Sequence, residues 1–187
     1  MLSRLQLIKN NSQIKSNILR FYTSLNGNGN DNNNNNNSIN DILYTKDVEE
    51  LINKQISIEL TASHNYLVIS SYLSNVKIGL YGGAGFFLHM SNDERDHAFK
   101  FINYQNRRGG TVFINNFCDN NVLLNTVYKK YNGLIDALTD ALNMEKVVEQ
   151  ALYNLNKIAE NNCDIITMDY VTSNFLHEQV KMIIFYV

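Results

Sequence analysis

Glu94-Arg95-Asp96-His97 and Glu59-Leu60-Thr61-Ala62-Ser63-His64-Asn65-Tyr66 are the two stretches whose reading decides the fold. Each lies in a long, proline-free, helix-patterned segment. On a helix, Glu94 and His97 are i and i+3, so their heads share one face. Glu59 and Tyr66 are two turns apart and nearly in line. A carboxylate aimed into an apolar bundle is costly unless it is paired or binds a metal. Two helices each turning carboxylates inward, one of them with a Glu-x-x-His pair, point to a metal-binding four-helix bundle.

The surrounding pattern supplies the four helices. The first is predicted from Lys46 to Asn75, with Thr45 as N-cap and Asp47, Glu49 and Glu50 suited to the positive helix start. Val48, Leu51, Ile52, Gln55, Ile56, Glu59, Tyr66 and Leu67 recur at helical spacing. The second runs from Tyr81 to Arg108, where Arg107 and Arg108 suit the negative end and Gly109-Gly110 stop it. It opens among Gly79, Gly82, Gly83 and Gly85. Each interior Gly costs about 1 kcal/mol against Ala, so this end is expected to fray. A third helix spans Tyr131 to Glu160 and a fourth Asp164 to Val187. Between the second and third lies a long connection, 109–130, whose Val112, Phe113, Ile114 and Phe117 are expected to pack along the bundle. A connection of that length spans the bundle and makes the next helix run parallel.

The chain has 187 residues, enough for one domain with a real core. Proline is absent, where ordinary usage would give about nine; long uninterrupted helices accommodate that. No apolar run reaches ~18 residues, so no membrane span is expected. Cys118 and Cys163 fit no metal spacing and read as buried or free thiols in a reducing compartment.

Charge divides unevenly. Residues 1–22 hold Arg4, Lys9, Lys15 and Arg20 and no acid, which leaves 12 basic against 18 acidic residues elsewhere, a net −6. An acidic body is a poor nucleic-acid binder and a plausible cation collector. Spaced basic residues among Leu2, Leu5, Leu7, Ile8, Ile14, Ile18 and Leu19 read as a mitochondrial transit peptide over 1–22. The expected compartment is the matrix, with the cytoplasm as the alternative. Residues 23–40, with the unbroken Asn32–Asn37 run, read as a disordered linker. The folded domain is expected over 41–187.

Several further motifs follow in order: Phe87-Leu88-His89-Met90-Ser91-Asn92-Asp93 before the Glu-x-x-His pair, Gln105-Asn106-Arg107-Arg108-Gly109-Gly110, Ala141-Leu142-Asn143-Met144-Glu145-Lys146, and Phe175-Leu176-His177-Glu178-Gln179-Val180-Lys181. With the first two stretches they resemble ferritin of the heavy-chain, ferroxidase type over most of residues 45–187. Bundles of that class are known for two single Glu residues and two Glu-x-x-His pairs. Here one pair is present, Glu145 can supply the other single Glu, and Gln179 and Met182 stand where the second pair would be. The first metal position is therefore rich in ligands and the second poorer.

The resemblance implies an all-α, ferritin-like antiparallel four-helix bundle with one long crossover between helices two and three. It implies a ferroxidase that oxidises Fe(II) with dioxygen at an intra-bundle di-iron site and stores ferric mineral. Glu59 and His97 would ligate the first iron, Glu94 would bridge, and Glu145 would ligate the second. Tyr66 would hydrogen-bond near Glu145, and Gln179 would hold water or dioxygen. Implied partners are iron, dioxygen and other ferritin subunits, 24 in the family's cage, with neither nucleic acid nor membrane. Taken singly, each residue has a plainer reading: Glu59 or Glu145 a solvated helix residue, Glu94 and His97 a surface pair, Tyr66 core. His64 and His177 fall off the site face and are expected to be exposed, and His89 is read as structural.

Some positions depart from the family pattern. Asp93 and Asp96 match acids where mineral nucleates, but Phe99 replaces a third. Asp169 matches one acid of the three-fold iron channel, where Thr172 replaces the second. The fourth helix ends eight residues after Gln179, so the domain reads as C-terminally shortened, with Ile183–Val187 partly exposed and the cage weakened. A structural or regulatory subunit that co-assembles with full-length partners is therefore the alternative. A DNA-protecting mini-ferritin is disfavoured by the intra-bundle ligand set and acidic body, and a metal-free bundle by the filled ligand positions.

Overall fold

The computed structural model describes residues 44–114 and 131–186. Residues 1–22, expected to be a transit peptide, the Asn-rich stretch 23–40, expected to be a linker, Phe117 and Cys118 lie outside those residues.

α1 is Lys46–Ser74. Its buried stripe steps by three and four through Val48, Ile52, Ile56, Glu59, Ala62, Tyr66, Ile69 and Leu73, the period of one helix face. Thr45 occupies the N-cap position, but its hydroxyl makes no capping bond and is buried without a partner. Asp47 and Glu49 alone answer the positive end.

α2 is Tyr81–Arg107. It stops as the glycines require. Gly109 takes φ +80, its amide returns to Asn106 O at 3.2 Å, and the Gly110 amide reaches Gln105 O at 3.0 Å. At the other end, Gly83 has a packing reason: an added Cβ would stand 3.2 Å from Leu73 and 3.5 Å from Leu134.

α3 is Leu134–Asn161, three residues later than the periodicity suggests. Gly133, at φ +108, turns the chain immediately before it, and the Gly133 amide is held by Tyr72 Oη at 3.1 Å. Tyr131 instead packs its ring against Tyr72, centroids 5.4 Å apart.

The fourth helix is one rod in three pieces: α4 (Ile165–Val171), a π-helical turn (Thr172–Leu176) and α5 (His177–Tyr186). The Asp164 side chain accepts from the Thr167 amide at 3.0 Å and caps it. Its inward residues Thr167, Val171, Phe175 and Gln179 recur every four, which the wider π turn accommodates.

Pairings define the topology. Ser70–Ala84, Ser63–Ser91 and Glu49–Gln105 make α1 and α2 antiparallel. Tyr72–Gly133 and Tyr66–Glu145 do the same for α1 and α3. Tyr104–Thr167 and Phe86–Phe185 set α2 antiparallel to the fourth rod. α2 and α3 therefore run parallel, so the end of α2 and the start of α3 lie at opposite ends of the bundle, as a long connection allows. The first part of that crossover binds α1: Asn53 Nδ2 donates to Thr111 O at 2.9 Å and Asn53 Oδ1 accepts from the Phe113 amide at 2.9 Å. Of the apolar residues expected to pack there, Val112 does. Phe113 and Ile114 are exposed in the single chain, although the Phe113 amide is bonded to Asn53.

Where α2 ends and α4 begins, Arg108 joins the rods. Its two guanidinium nitrogens donate to the two Asp164 carboxylate oxygens at 3.0 and 3.1 Å, and its face lies 4.5 Å from the Tyr44 ring centroid. Asp164 is 3% exposed. Arg108 thus does more than suit a helix dipole.

Candidate metal centre

Midway along the bundle, apolar stripes from four helices carry polar residues inward. α1 brings Gln55, Glu59 and Tyr66; α2 brings Glu94 and His97; α3 brings Glu145; α5 brings Gln179 and Tyr186, with Glu178 exposed at the mouth. Glu59, Glu94 and Glu145 are all buried, at 0%, 3% and 1% exposure. Acids almost never sit so deep without a partner.

Glu59, Glu94 and His97 form the core of the site. One ligand atom from each lies within 4.8 Å of the others. Glu59 Oε1 accepts from Gln55 Nε2 at 2.8 Å, while Oε2 is buried without an N–H donor. Only a proton shared with the neighbouring Glu94 carboxyl, or a cation, can satisfy it. Burial first, and the Glu94 charge second, push the Glu59 carboxyl well above its usual range. Burial and the Glu145 charge raise Glu94 to about 8. Carboxyls held this way gain from a positive charge placed between them.

His97 stands between two acids. Its Nδ1 is 3.1 Å from Glu94 Oε2 and its Nε2 3.5 Å from Glu178 Oε2. Glu178, half exposed at the mouth of the site, is a residue that sequence reasoning passed over. Gln55 is another.

Glu145 stands outside the trio. Tyr66 Oη donates to its Oε1, and Gln179 Nε2 donates to its Oε2 and to its main-chain oxygen, the last at 3.1 Å. Burial raises its carboxyl while these two bonds oppose the rise. Burial, then the Glu145 charge, hold the Tyr66 phenol well above its usual range. The structure therefore brings all six sequence-selected residues to one place, as a trio of two carboxyls and an imidazole beside a hydrogen-bonded Tyr66–Glu145–Gln179 unit.

His64 and His177 are exposed, and His89 is exposed and paired with Asp93 at 3.4 Å. Asp96 and Asp169 are exposed; Phe99 lies under the Arg95 guanidinium, 5.5 Å from it. Cys163 is a free thiol.

The donor set fits a divalent transition metal: carboxylate oxygens and one imidazole, with an orphaned carboxylate oxygen aimed inward. The family model of the ferritin-like domain matches residues 49–186, and the chain belongs to the ferritin family. Its fold is the all-α ferritin-like bundle. No helix among the described residues is long and apolar enough to cross a membrane.

Proposed function

We propose that this chain is an iron-oxidising ferritin subunit of the heavy-chain type. Fe(II) is its substrate. Glu59 and His97 hold one ion, Glu94 reaches toward both, and Glu145 serves the second. Each Fe(II) gives one electron; dioxygen takes two electrons and two protons and leaves as hydrogen peroxide, and hydrolysed Fe(III) passes into mineral. In this reading Gln179 holds water or dioxygen beside Glu145. The observation that carries this reading is the buried Glu59–Glu94–His97 trio with its unsatisfied Glu59 Oε2. A cation between the two carboxyls would satisfy that oxygen and offset the burial that opposes their charge.

The test is stopped-flow absorbance of the ferric product formed by the full chain. The parent shows a fast phase, and Glu94→Ala combined with His97→Ala removes it. Equal rates in the two proteins would sink the assignment.

One observation favours the second reading, a structural subunit that co-assembles with more active partners. Both oxygens of Glu145 are engaged by Tyr66 and Gln179, so the second position has fewer free lone pairs to offer a metal than the first. A purified chain that fails to oxidise Fe(II) alone, but enters mixed cages, would establish it. Assembly itself draws support from the apolar side chains exposed on α1 and α2, among them Leu67 and Leu88. The acid-free basic leader supports import into the mitochondrial matrix, and an intact Met1 on cytosolic protein would refute that.

A further inference from the structure

We propose that Tyr186 is a positioning residue for the second metal position, acting on Glu145 through Tyr66. The inference rests on the ferroxidase reading and deepens it. Tyr186 Oη lies 3.4 Å from Tyr66 Oη. The direction of that contact is fixed by proton counting. A carboxylate can only accept, so Tyr66 spends its single proton on Glu145 Oε1. The proton between the two phenols must therefore come from Tyr186. The series reads Tyr186 to Tyr66 to Glu145.

The last turns of the fourth rod then govern both oxygens of Glu145. Gln179 holds Oε2 directly, and Tyr186, two turns further along the same face, holds Oε1 through one intermediary. An aromatic cluster seats that turn. Phe86 stacks on Phe185 at 5.5 Å and meets Tyr186 edge-on at 6.5 Å; Phe87, beside it, stacks on Tyr66 at 5.8 Å. The Tyr186 hydroxyl is thus placed by its own ring packing, independently of the metal. Its phenol is half-buried against Tyr66, and burial first, with the Glu145 and Glu94 charges adding to it, raises the phenol above its usual range. A donated hydrogen bond makes the Tyr66 hydroxyl a stronger donor in turn. It therefore keeps the Glu145 carboxylate in one orientation for the ion that arrives.

Tyr186→Phe removes the hydroxyl and keeps the ring. The experiment titrates the full chain with Co(II), followed by its visible absorption, alongside a thermal melt without metal. The parent takes up two equivalents per chain. In Tyr186→Phe the first equivalent binds as in the parent and the second about two- to tenfold more weakly, the loss of one ordinary hydrogen bond. Tyr186→Leu, which also removes the ring, weakens the second further. A Tyr186→Phe variant that matches the parent at both equivalents overturns the inference and leaves the ferroxidase reading standing. Equal weakening of both equivalents together with a lowered melting temperature also overturns it, since that is a packing effect. A parent that takes up no Co(II) overturns the ferroxidase reading and this inference with it.

Discussion

At the end of the bundle Arg108 and Asp164 meet in a two-pronged salt bridge, and every charge there has an answer. Asp164 also accepts from Thr167 Oγ1 at 2.6 Å, and Arg108 donates to Tyr104 Oη at 2.6 Å. Midway along, Glu59 and Glu94 meet at similar depth, yet burial and neighbouring carboxylates oppose their charge. Burial alone therefore does not separate structure from function. The balance of donors and charges does: the first cluster is answered by opposite charge within the protein, and the second gathers acids that a shared proton or a cation has to answer.

The largest effect that can break this comparison is Asp164→Ala. Removing one partner leaves Arg108 largely buried without its carboxylate, with only hydroxyl partners, and deletes a helix cap, so unfolding free energy falls by about 3–5 kcal/mol. Urea denaturation measures it, and a loss below about 1 kcal/mol would show that the end cluster is not structural.

The opposite sign is expected midway. Glu94→Gln removes a buried charge, so at pH 8 the metal-free variant is as stable as the parent or more stable, by about 1–3 kcal/mol. The pH dependence follows. Glu94 rises to about 8 in the folded chain from an ordinary 4.5, so over that window the folded state holds protons the unfolded chain has released. Parental stability therefore falls as pH rises from about 4.5 to 8, and the advantage of Glu94→Gln shrinks toward pH 5. Co(II) at about 100 times its dissociation constant stabilises the parent by about 2.7 kcal/mol and the variant less. Melting curves at both pH values check each part, and a parent that gains stability from pH 5 to 8 relative to Glu94→Gln would reverse the assignment.

The smallest effect sharpens the end cluster. α3 closes as α2 does, with the Asp164 amide on Ala159 O at 2.9 Å, but Cys163 rather than glycine holds the left-handed position at φ 60. Cys163→Gly relieves that strain and stabilises by about 1 kcal/mol in the same urea experiment. No gain would mean that the thiol's own packing offsets the strain.

The sequence by itself determined the four helices, the parallel run of α2 and α3, and the shared face of Glu94 and His97, while Tyr66, Glu145 and Gln179 take their roles only from the family resemblance. Period and spacing are local: Glu94 and His97 share a face whatever the rest of the chain does, and Gly109-Gly110 stop a helix without outside help. The start of α3 was less legible, because Gly133 turns the chain through a conformation that composition alone does not announce. Only the tertiary structure decided what depends on distance between helices. The roles of Gln55 and Glu178, the salt bridge of Arg108, the engagement of both Glu145 oxygens and the approach of Tyr186 to Tyr66 all arise where rods meet. The π-helical turn belongs there too: it changes which residues of the last rod face inward, and Glu178, Gln179 and Tyr186 all follow it. A single sequence records which side chains a helix offers, and packing selects the neighbour each one meets.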